Sequence, residues 1–244
     1  MVTKRLGLLG ATWEIFKKDA RIELRTREVV ATAGVFAIVV CVLASMAYVI
    51  NKNFNRATAA GTIWIALFFA STLSFSRIWQ RERDESALTA LLVAPIPRAS
   101  IFLGKALAAF ATILAIALPL VVLTLFLFAI DFTPPDAARN APHDPASTQV
   151  AAFAALVGMG TLALSLIGTL FGVMTVRTRA RDLVLAIVLF PLLSPVLVCG
   201  VAGTRSTFET LPFDEYSAFL ALMGLFVFVG LAIGVALFGP LVDE

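Results

Sequence analysis

Residues 80–98 read Q-R-E-R-D-E-S-A-L-T-A-L-L-V-A-P-I-P-R and interrupt a chain that is otherwise apolar. The stretch begins with closely spaced charges, continues with leucines at helical spacing (Leu88, Leu91 and Leu92), and ends in two prolines. It lies between two segments that are each long enough to cross a bilayer. A short amphipathic helix between two membrane spans is suited to docking onto a soluble partner. The stretch therefore predicts the membrane subunit of a larger machine.

The composition is that of a membrane protein. Of the 244 residues, 60% are hydrophobic and 14% are charged, whereas soluble domains have about 45–50% apolar and about 25% charged residues. A spanning helix needs about 20 mostly apolar residues, because the hydrocarbon core is ~30 Å thick. Six segments meet this requirement, over residues 29–50, 57–76, 101–130, 150–176, 183–203 and 216–239. The chain is thus predicted to be an all-α integral membrane protein with six transmembrane helices, together forming one domain over residues 29–244.

The basic residues predict the orientation of these spans. All but four of the 19 Lys and Arg residues fall on one side of the six spans, and the exceptions are Lys52, Arg56, Arg139 and Arg205. The positive-inside rule assigns the basic side to the cytoplasm, so both termini are expected there. The excess of positive charge is then explained by topology and lipid headgroups, and no nucleic-acid binding is predicted.

Residues 1–28 precede the first span and have an amphipathic pattern. Apolar side chains recur every three or four residues, while the basic residues fall largely on the other faces of the helix. The apolar positions are Leu9, Trp13, Phe16, Ala20 and Leu24. Such a pattern predicts a cytoplasmic helix lying in the interfacial plane, in contact with the lipid bilayer. A partly ordered basic tail is the alternative.

The spans contain no energy source of their own. None has Asp, Glu, Arg or His at its middle, where ion-coupled transporters carry such groups, and Lys105 is close enough to a helix end to extend to the interface. Gly104 and Lys105 resemble the end of a phosphate-binding loop, but Ala99 and Ala106 replace the required Gly and Ser or Thr. The chain is therefore predicted not to be an enzyme, and any transport by it would need energy from a partner.

Two pairs of glycines predict close helix packing. Gly168 and Gly172 lie four residues apart in the fourth span, and Gly230 and Gly234 have the same spacing in the sixth. Small residues at this spacing let helices approach closely in membranes. The contacts are expected within one subunit, with a subunit interface or a substrate groove as the alternatives.

Pro191 and Pro195 predict a helix break in the fifth span. The two residues share one helix face, and each lacks a backbone donor. Broken backbone is not tolerated against lipid, so the break should face protein or a water-filled cavity. The expected outcomes are a partly re-entrant segment over 195–211 or a kinked helix.

The remaining polar segments offer no ligand set. The loop over 131–149 is proline-rich, is expected on the outer side of the membrane, and contains the one histidine, His143, which is interpreted as solvated. Cys41 and Cys199 lie within apolar segments, where thiols behave as small hydrophobic groups. No catalytic residue, metal site, disulfide or directly bound cofactor is predicted.

Several motifs, taken in order, carry a family resemblance. They are R-x-x-Q-R-E-R over 77–83, A-L-x-x-L-L-x-x-P-x-P-R over 87–98, G-K at 104–105, G-T-I-W over 61–64, G-T-L-F over 168–171, T-V-R-T-R over 175–179 and F-P-L-L-S-P-V-L over 190–197. Together they resemble the ABC-2 class of exporter membrane subunits and, within it, the CcmB family of the haem exporter of cytochrome c maturation. The similarity extends from about Trp13 into the sixth span. The family typically has Gly and Glu where this chain has Ser86 and Thr89.

The resemblance implies a complex in the bacterial inner membrane. Two copies of the chain would pair with two copies of a separate ABC ATPase of the CcmA type on the cytoplasmic face. A haem-handling membrane protein and a periplasmic haem chaperone would be further partners. Haem would be either the transported substrate or the cargo of a chaperone whose release the complex drives.

The resemblance also implies roles within a cytoplasmic coupling segment over 77–100. Its helix would sit in a cleft of the ATPase, where charged side chains set the docking register and leucines supply the buried anchor. The charged residues are Arg81, Glu82, Arg83, Asp84 and Glu85, and the leucines are Leu88, Leu91 and Leu92. A solvated loop without a partner is the alternative for this segment.

Two other functions are compatible with the sequence. One is an ABC-2 exporter permease for a drug, a lipid or a polysaccharide, which would be distinguished by the ATPase and companions that co-purify with it. The other is a non-transporting membrane scaffold, which would bind no ATPase and would tolerate charge reversal over 81–85.

Overall fold

A computed structural model describes residues 7–48, 52–84, 91–133, 144–175 and 181–243. Its helices are α1 (Leu8–Thr26), α2 (Glu28–Tyr48), α3 (Lys52–Asp84), α4 (Arg98–Leu127), α5 (Ala146–Thr175), α6 (Arg181–Phe208) and α7 (Phe213–Asp243). The described part of the chain has no strand. Six helices, α2 to α7, are long and apolar enough to cross a membrane. The prediction of an all-α membrane protein with six spans is confirmed.

Four of the six spanning helices surround the other two, α3 and α5. In α3, 67% of the most apolar stretch is buried within the chain, and in α5 the share is 56%, whereas in α7 it is only 17%. The outer helices α2, α4, α6 and α7 therefore present most of their apolar side chains outward. Outward-facing apolar side chains are stable in a bilayer, where lipid takes the place of a protein core.

The interior has two main apolar clusters. The larger surrounds Trp64 of α3 and includes both cysteines, which are free and buried. The second surrounds Phe75, Trp79 and Phe102. It lies at the end of the bundle where α1, the last turns of α3 and the first turns of α4 meet. This end is called the basic end below.

The glycines of α5 make room for aromatic side chains of α3. A Cβ atom at Gly168 would overlap the ring of Phe75, and one at Gly172 would overlap the indole of Trp79. Both rings are almost fully buried. The spacing of the two glycines thus matches the spacing of two aromatic residues on the neighbouring helix.

The glycines of α7 differ from each other in their surroundings. A Cβ atom at Gly234 would overlap the ring of Phe102 on α4, whereas one at Gly230 would meet Leu166 at 3.4 Å, an ordinary contact. Three of the four motif glycines therefore face a bulky ring of the same chain. Their close contacts lie within one subunit.

The expectation of a re-entrant segment over 195–211 is wrong. α6 is a continuous helix through Pro191 and Pro195 to Phe208, and the chain leaves it only in a short turn before α7. Pro195 cannot donate a hydrogen bond to the carbonyl of Pro191, but the Ser194 hydroxyl donates to that oxygen at 2.8 Å. The local replacement of the missing bond lets the helix continue. Both prolines are exposed on the single chain, so neither faces an internal cavity.

Candidate functional site

Helix α1 packs across the basic end through one small apolar contact. Ala11 and Ile15 are its only buried residues, and they face α4. A Cβ atom at Gly104 would lie 2.7 Å from the Ile15 Cβ and 2.9 Å from the Thr12 carbonyl oxygen. Only glycine at position 104 permits so close an approach of α1 to α4. This contact explains the first residue of the G-K motif.

The opposite face of α1 points away from the protein. Leu9, Trp13 and Leu24, members of the predicted apolar stripe, are exposed. The Lys17 ammonium lies 5.7 Å from the centre of the Trp13 ring. An exposed apolar stripe flanked by lysine is typical of a helix between protein and lipid headgroups.

A sharp corner joins α1 to α2. Arg27 adopts the left-handed conformation, with φ of 54°. The Glu23 carboxylate then accepts hydrogen bonds from the backbone N–H groups of Val29 and Val30, each at 3.0 Å. A carboxylate at this position satisfies free donors and interacts favourably with the helix dipole. The direction of α1 relative to the first span is fixed by this cap.

Arginines of α3 bind the acidic residues of this corner. Arg81 lies 3.3 Å from the Glu28 carboxylate and 3.8 Å from that of Glu23. Arg77 contacts the other oxygen of Glu28 at 3.2 Å. The end of α3 is thereby joined to both α1 and α2. These pairs are partly exposed, so each contributes little alone, but together they link three helices.

A buried lysine forms the centre of the basic end. Lys105 of α4 is only 3% exposed, and its ammonium donates to Asp19 of α1 at 2.9 Å and to Glu82 of α3. The expectation that Lys105 extends to the interface is therefore wrong, because two carboxylates bind its ammonium inside the protein. A cavity of about 40 Å³ adjoins the three side chains.

The structure places the predicted coupling residues in two groups. Arg81 and Glu82 face into the bundle, where they join the ion pairs described above, and Glu82 is buried. Leu91 and Leu92 are half-buried against the cluster around Trp79, and Leu91 shares a groove with Ile15 of α1. The side chains of Arg83 and Asp84, and all of Glu85 and Leu88, lie outside the described residues.

Sequence reasoning missed Val93, which is 82% exposed at the same end. It follows the half-buried leucines, and the Arg98 guanidinium donates to the Leu92 carbonyl at 2.7 Å, which attaches this turn to α4. An isolated valine among leucines gave no signal in the sequence. Asp19 and the buried ion pairs of Lys105 were also missed, although a lone lysine in an apolar span suggests a buried partner.

The opposite end of the bundle has its own polar contacts. Arg56 of α3 is buried, and it donates to the Asp131 carboxylate at 2.6 Å and to the Thr133 carbonyl at 2.9 Å. The Tyr216 hydroxyl donates to Asp144 at 2.8 Å. Both ends of the predicted outer loop are thus attached to the bundle, while His143 lies outside the described residues.

Comparisons with known proteins cover nearly the whole chain. A family model described as CcmB protein matches residues 10–239. Heme exporter protein B of Rhodobacter capsulatus is 28% identical over 207 residues, which cover 85% of this chain and 88% of that protein. The protein of the same name from Pseudomonas aeruginosa is 27% identical over 207 residues, covering 85% and 86%. Its Escherichia coli K12 counterpart is 26% identical over 211 residues, covering 86% and 89%. Because the family match extends from α1 into the last turns of α7, the chain belongs to the CcmB family.

Proposed function

We propose that this chain is the transmembrane subunit of an ABC-type haem exporter that serves cytochrome c maturation. The family match over residues 10–239 carries the proposal. The full-length similarity to proteins named heme exporter protein B supports it. The six spanning helices and the attached helix α1 are the architecture that such a subunit requires. The complex would deliver haem or drive release of a haem-loaded chaperone.

The energy for this step would come from a separate ATPase of the CcmA type. The sequence has no nucleotide-binding loop, and the basic end would face the cytoplasm of a bacterial inner membrane with both termini on that side. Two copies of the chain would bind two ATPase subunits there. A haem-handling membrane protein and a periplasmic haem chaperone would complete the complex at its outer side.

Docking of the ATPase would use the coupling segment over 77–100. The structure divides the proposed contacts differently from the sequence pattern, since Arg81 and Glu82 bind other residues of this chain. Residues 83–90 and the exposed Val93 would then supply the contact with the ATPase cleft. Leu91 and Leu92 would support that surface from below, because they are half-buried against the bundle.

Val93→Asp should weaken ATPase binding without reducing the amount of chain in the membrane. A charge at an exposed position does not disturb the fold, but it would oppose an apolar anchor in the cleft. We expect the ratio of co-purified ATPase to chain to fall by about tenfold or more, which corresponds to about 1.4 kcal/mol. Leu91→Asp is the matched variant and should lower both the amount of chain and the ATPase ratio, because Leu91 packs against the apolar cluster that includes Ile15. An unchanged ratio for Val93→Asp would exclude this surface.

Deletion of the gene tests the proposed function itself. In-gel haem staining should show the loss of every c-type cytochrome, and the wild-type chain should restore them. Val93→Asp should not restore them, because the ATPase would no longer drive the complex. Normal cytochromes in the deletion strain would refute the proposal and favour an ABC-2 exporter of another substrate or a scaffold.

A further inference from the structure

The C-terminal half of α1 has little apolar burial. Both buried residues of α1, Ala11 and Ile15, lie in its N-terminal half, and no residue from 16 to 26 is fully buried. From Asp19 onward, the half-buried Ile22 lines the cavity at the basic end, while Asp19 binds Lys105 and Glu23 binds Arg81. With so little buried apolar surface, this half of α1 depends strongly on its ion pairs to stay in place.

We propose that Lys105 is a positioning residue that fastens the second half of α1 to the end of α3, which belongs to the coupling segment. Its single ammonium binds Asp19 of α1 and Glu82 of α3 at once. α1, the end of α3 and the start of α4 therefore move as one body. The fastening rests on the structure, and its use in coupling rests on the proposed function.

The position of the three charges suits the transmission of movement. Glu82 lies inside the coupling segment, two residues before α3 ends at Asp84. Near the other end of that segment, Arg98 attaches the 91–97 turn to α4, the helix that carries Lys105. Both ends of the segment are thus connected to α4. A displacement of the segment by a docked partner would be transmitted to α1 through Asp19.

Apolar residues would pack at least as well as this triad, which argues for a role beyond stability. Replacing a buried ion pair by neutral groups is often harmless to folding, whereas removing one partner is strongly destabilising. Within the described residues, Glu82 Oε2 has no hydrogen-bond partner. The single variant Lys105→Met would therefore leave Glu82 unpaired. Its effects could then come either from misfolding or from loss of the contact between α1 and α3.

The decisive variant neutralises all three charges together, as Asp19→Asn, Glu82→Gln and Lys105→Met. Amide hydrogen exchange of the full-length chain in lipid nanodiscs, read by mass spectrometry, reports local opening of α1. We expect exchange over residues 19–26 to become about tenfold faster or more, with residues 8–15 unchanged because Ile15 stays packed on Gly104. Lys105→Arg, which keeps the charge beside a cavity of about 40 Å³, should retain slow exchange.

Two exchange results would overturn the proposal. Unchanged exchange over 19–26 in the triple variant would mean that α1 needs no ionic fastening. Equally faster exchange over 8–15 and throughout α4 would mean that the triad maintains the whole fold.

The role in coupling has a separate readout. The triple variant should reach normal membrane levels and co-purify the ATPase, yet fail to restore c-type cytochromes in the deletion strain. Normal cytochromes together with a loosened α1 would refute the coupling role. If the wild-type chain itself failed to restore cytochromes, the proposed function would be refuted. The hydrogen-exchange result would still test whether Lys105 fastens α1 to α3.

Discussion

Gly172→Ala is expected to lower the amount of folded chain in the membrane several-fold. The methyl group would occupy space already filled by the indole of Trp79, whose side chain is almost fully buried. Overpacking of this kind costs typically about 1–3 kcal/mol, and the surrounding cluster leaves the ring little room to move. The better helix propensity of alanine, up to about 1 kcal/mol, would offset only part of that cost.

Gly158→Ala provides the matched control on the same helix. A Cβ atom at Gly158 would meet no atom within 4 Å, so this variant should accumulate like the wild-type chain. Quantitative immunoblotting of membranes, with both variants expressed from the same plasmid, measures the difference. Equal amounts of the two variants would show that the Trp79 ring adapts, and the steric explanation of the fourth-span glycines would be abandoned.

Trp64→Ala is expected to destabilise the centre of the bundle by about 3–5 kcal/mol, the usual cost of deleting a buried aromatic side chain. Trp64 is fully buried, and its indole N–H donates to the Thr204 hydroxyl of α6 at 2.9 Å. Gly160 of α5 and Gly200 of α6 lie directly against the ring. Because these two neighbours are glycines, neither has a side chain that could fill the space that the indole leaves.

Thermal unfolding of the purified chain in detergent measures this effect, and a fall of about 10 °C in Tm is expected. Ile65→Ala is the control, because Ile65 is the next residue of the helix and is 52% exposed. Thr204→Val should have an intermediate effect of about 1–3 kcal/mol, since it leaves the indole donor unpaired. A Tm for Trp64→Ala within about 2 °C of that for Ile65→Ala would contradict this account.

The spans were predictable from the sequence because the bilayer imposes a length and a composition on each of them. The helix ends were not. Apolar composition ends the second span at residue 76, whereas α3 extends from Lys52 to Asp84. Arg77, Arg81 and Glu82 leave the apolar pattern but remain helical, because their charges are matched by α1, α2 and α4. Hydropathy locates the membrane and does not locate the end of a helix beyond it.

The candidate site was only partly predictable for a similar reason. Glu82 was predicted from the sequence as a coupling residue, but its partner Lys105 lies 23 residues away and Asp19 lies 86 residues from Lys105. No periodic pattern connects residues so distant. The continuity of α6 had a local signal, since Ser194 immediately precedes Pro195 and can replace the missing hydrogen bond.

α3 is long enough to connect the basic end with the opposite end of the bundle, across the whole bilayer. The helix has 33 residues and at about 1.5 Å per residue is about 50 Å long, well beyond the ~30 Å hydrocarbon core. The ion pairs of Glu82 and Arg81 fix one end of α3. Arg56, which binds Asp131 and Thr133, lies near the other end. A tilt of about 5° around its middle would move each end by about 2 Å in opposite directions. A push of that size at the basic end would be delivered to the base of the 131–149 loop.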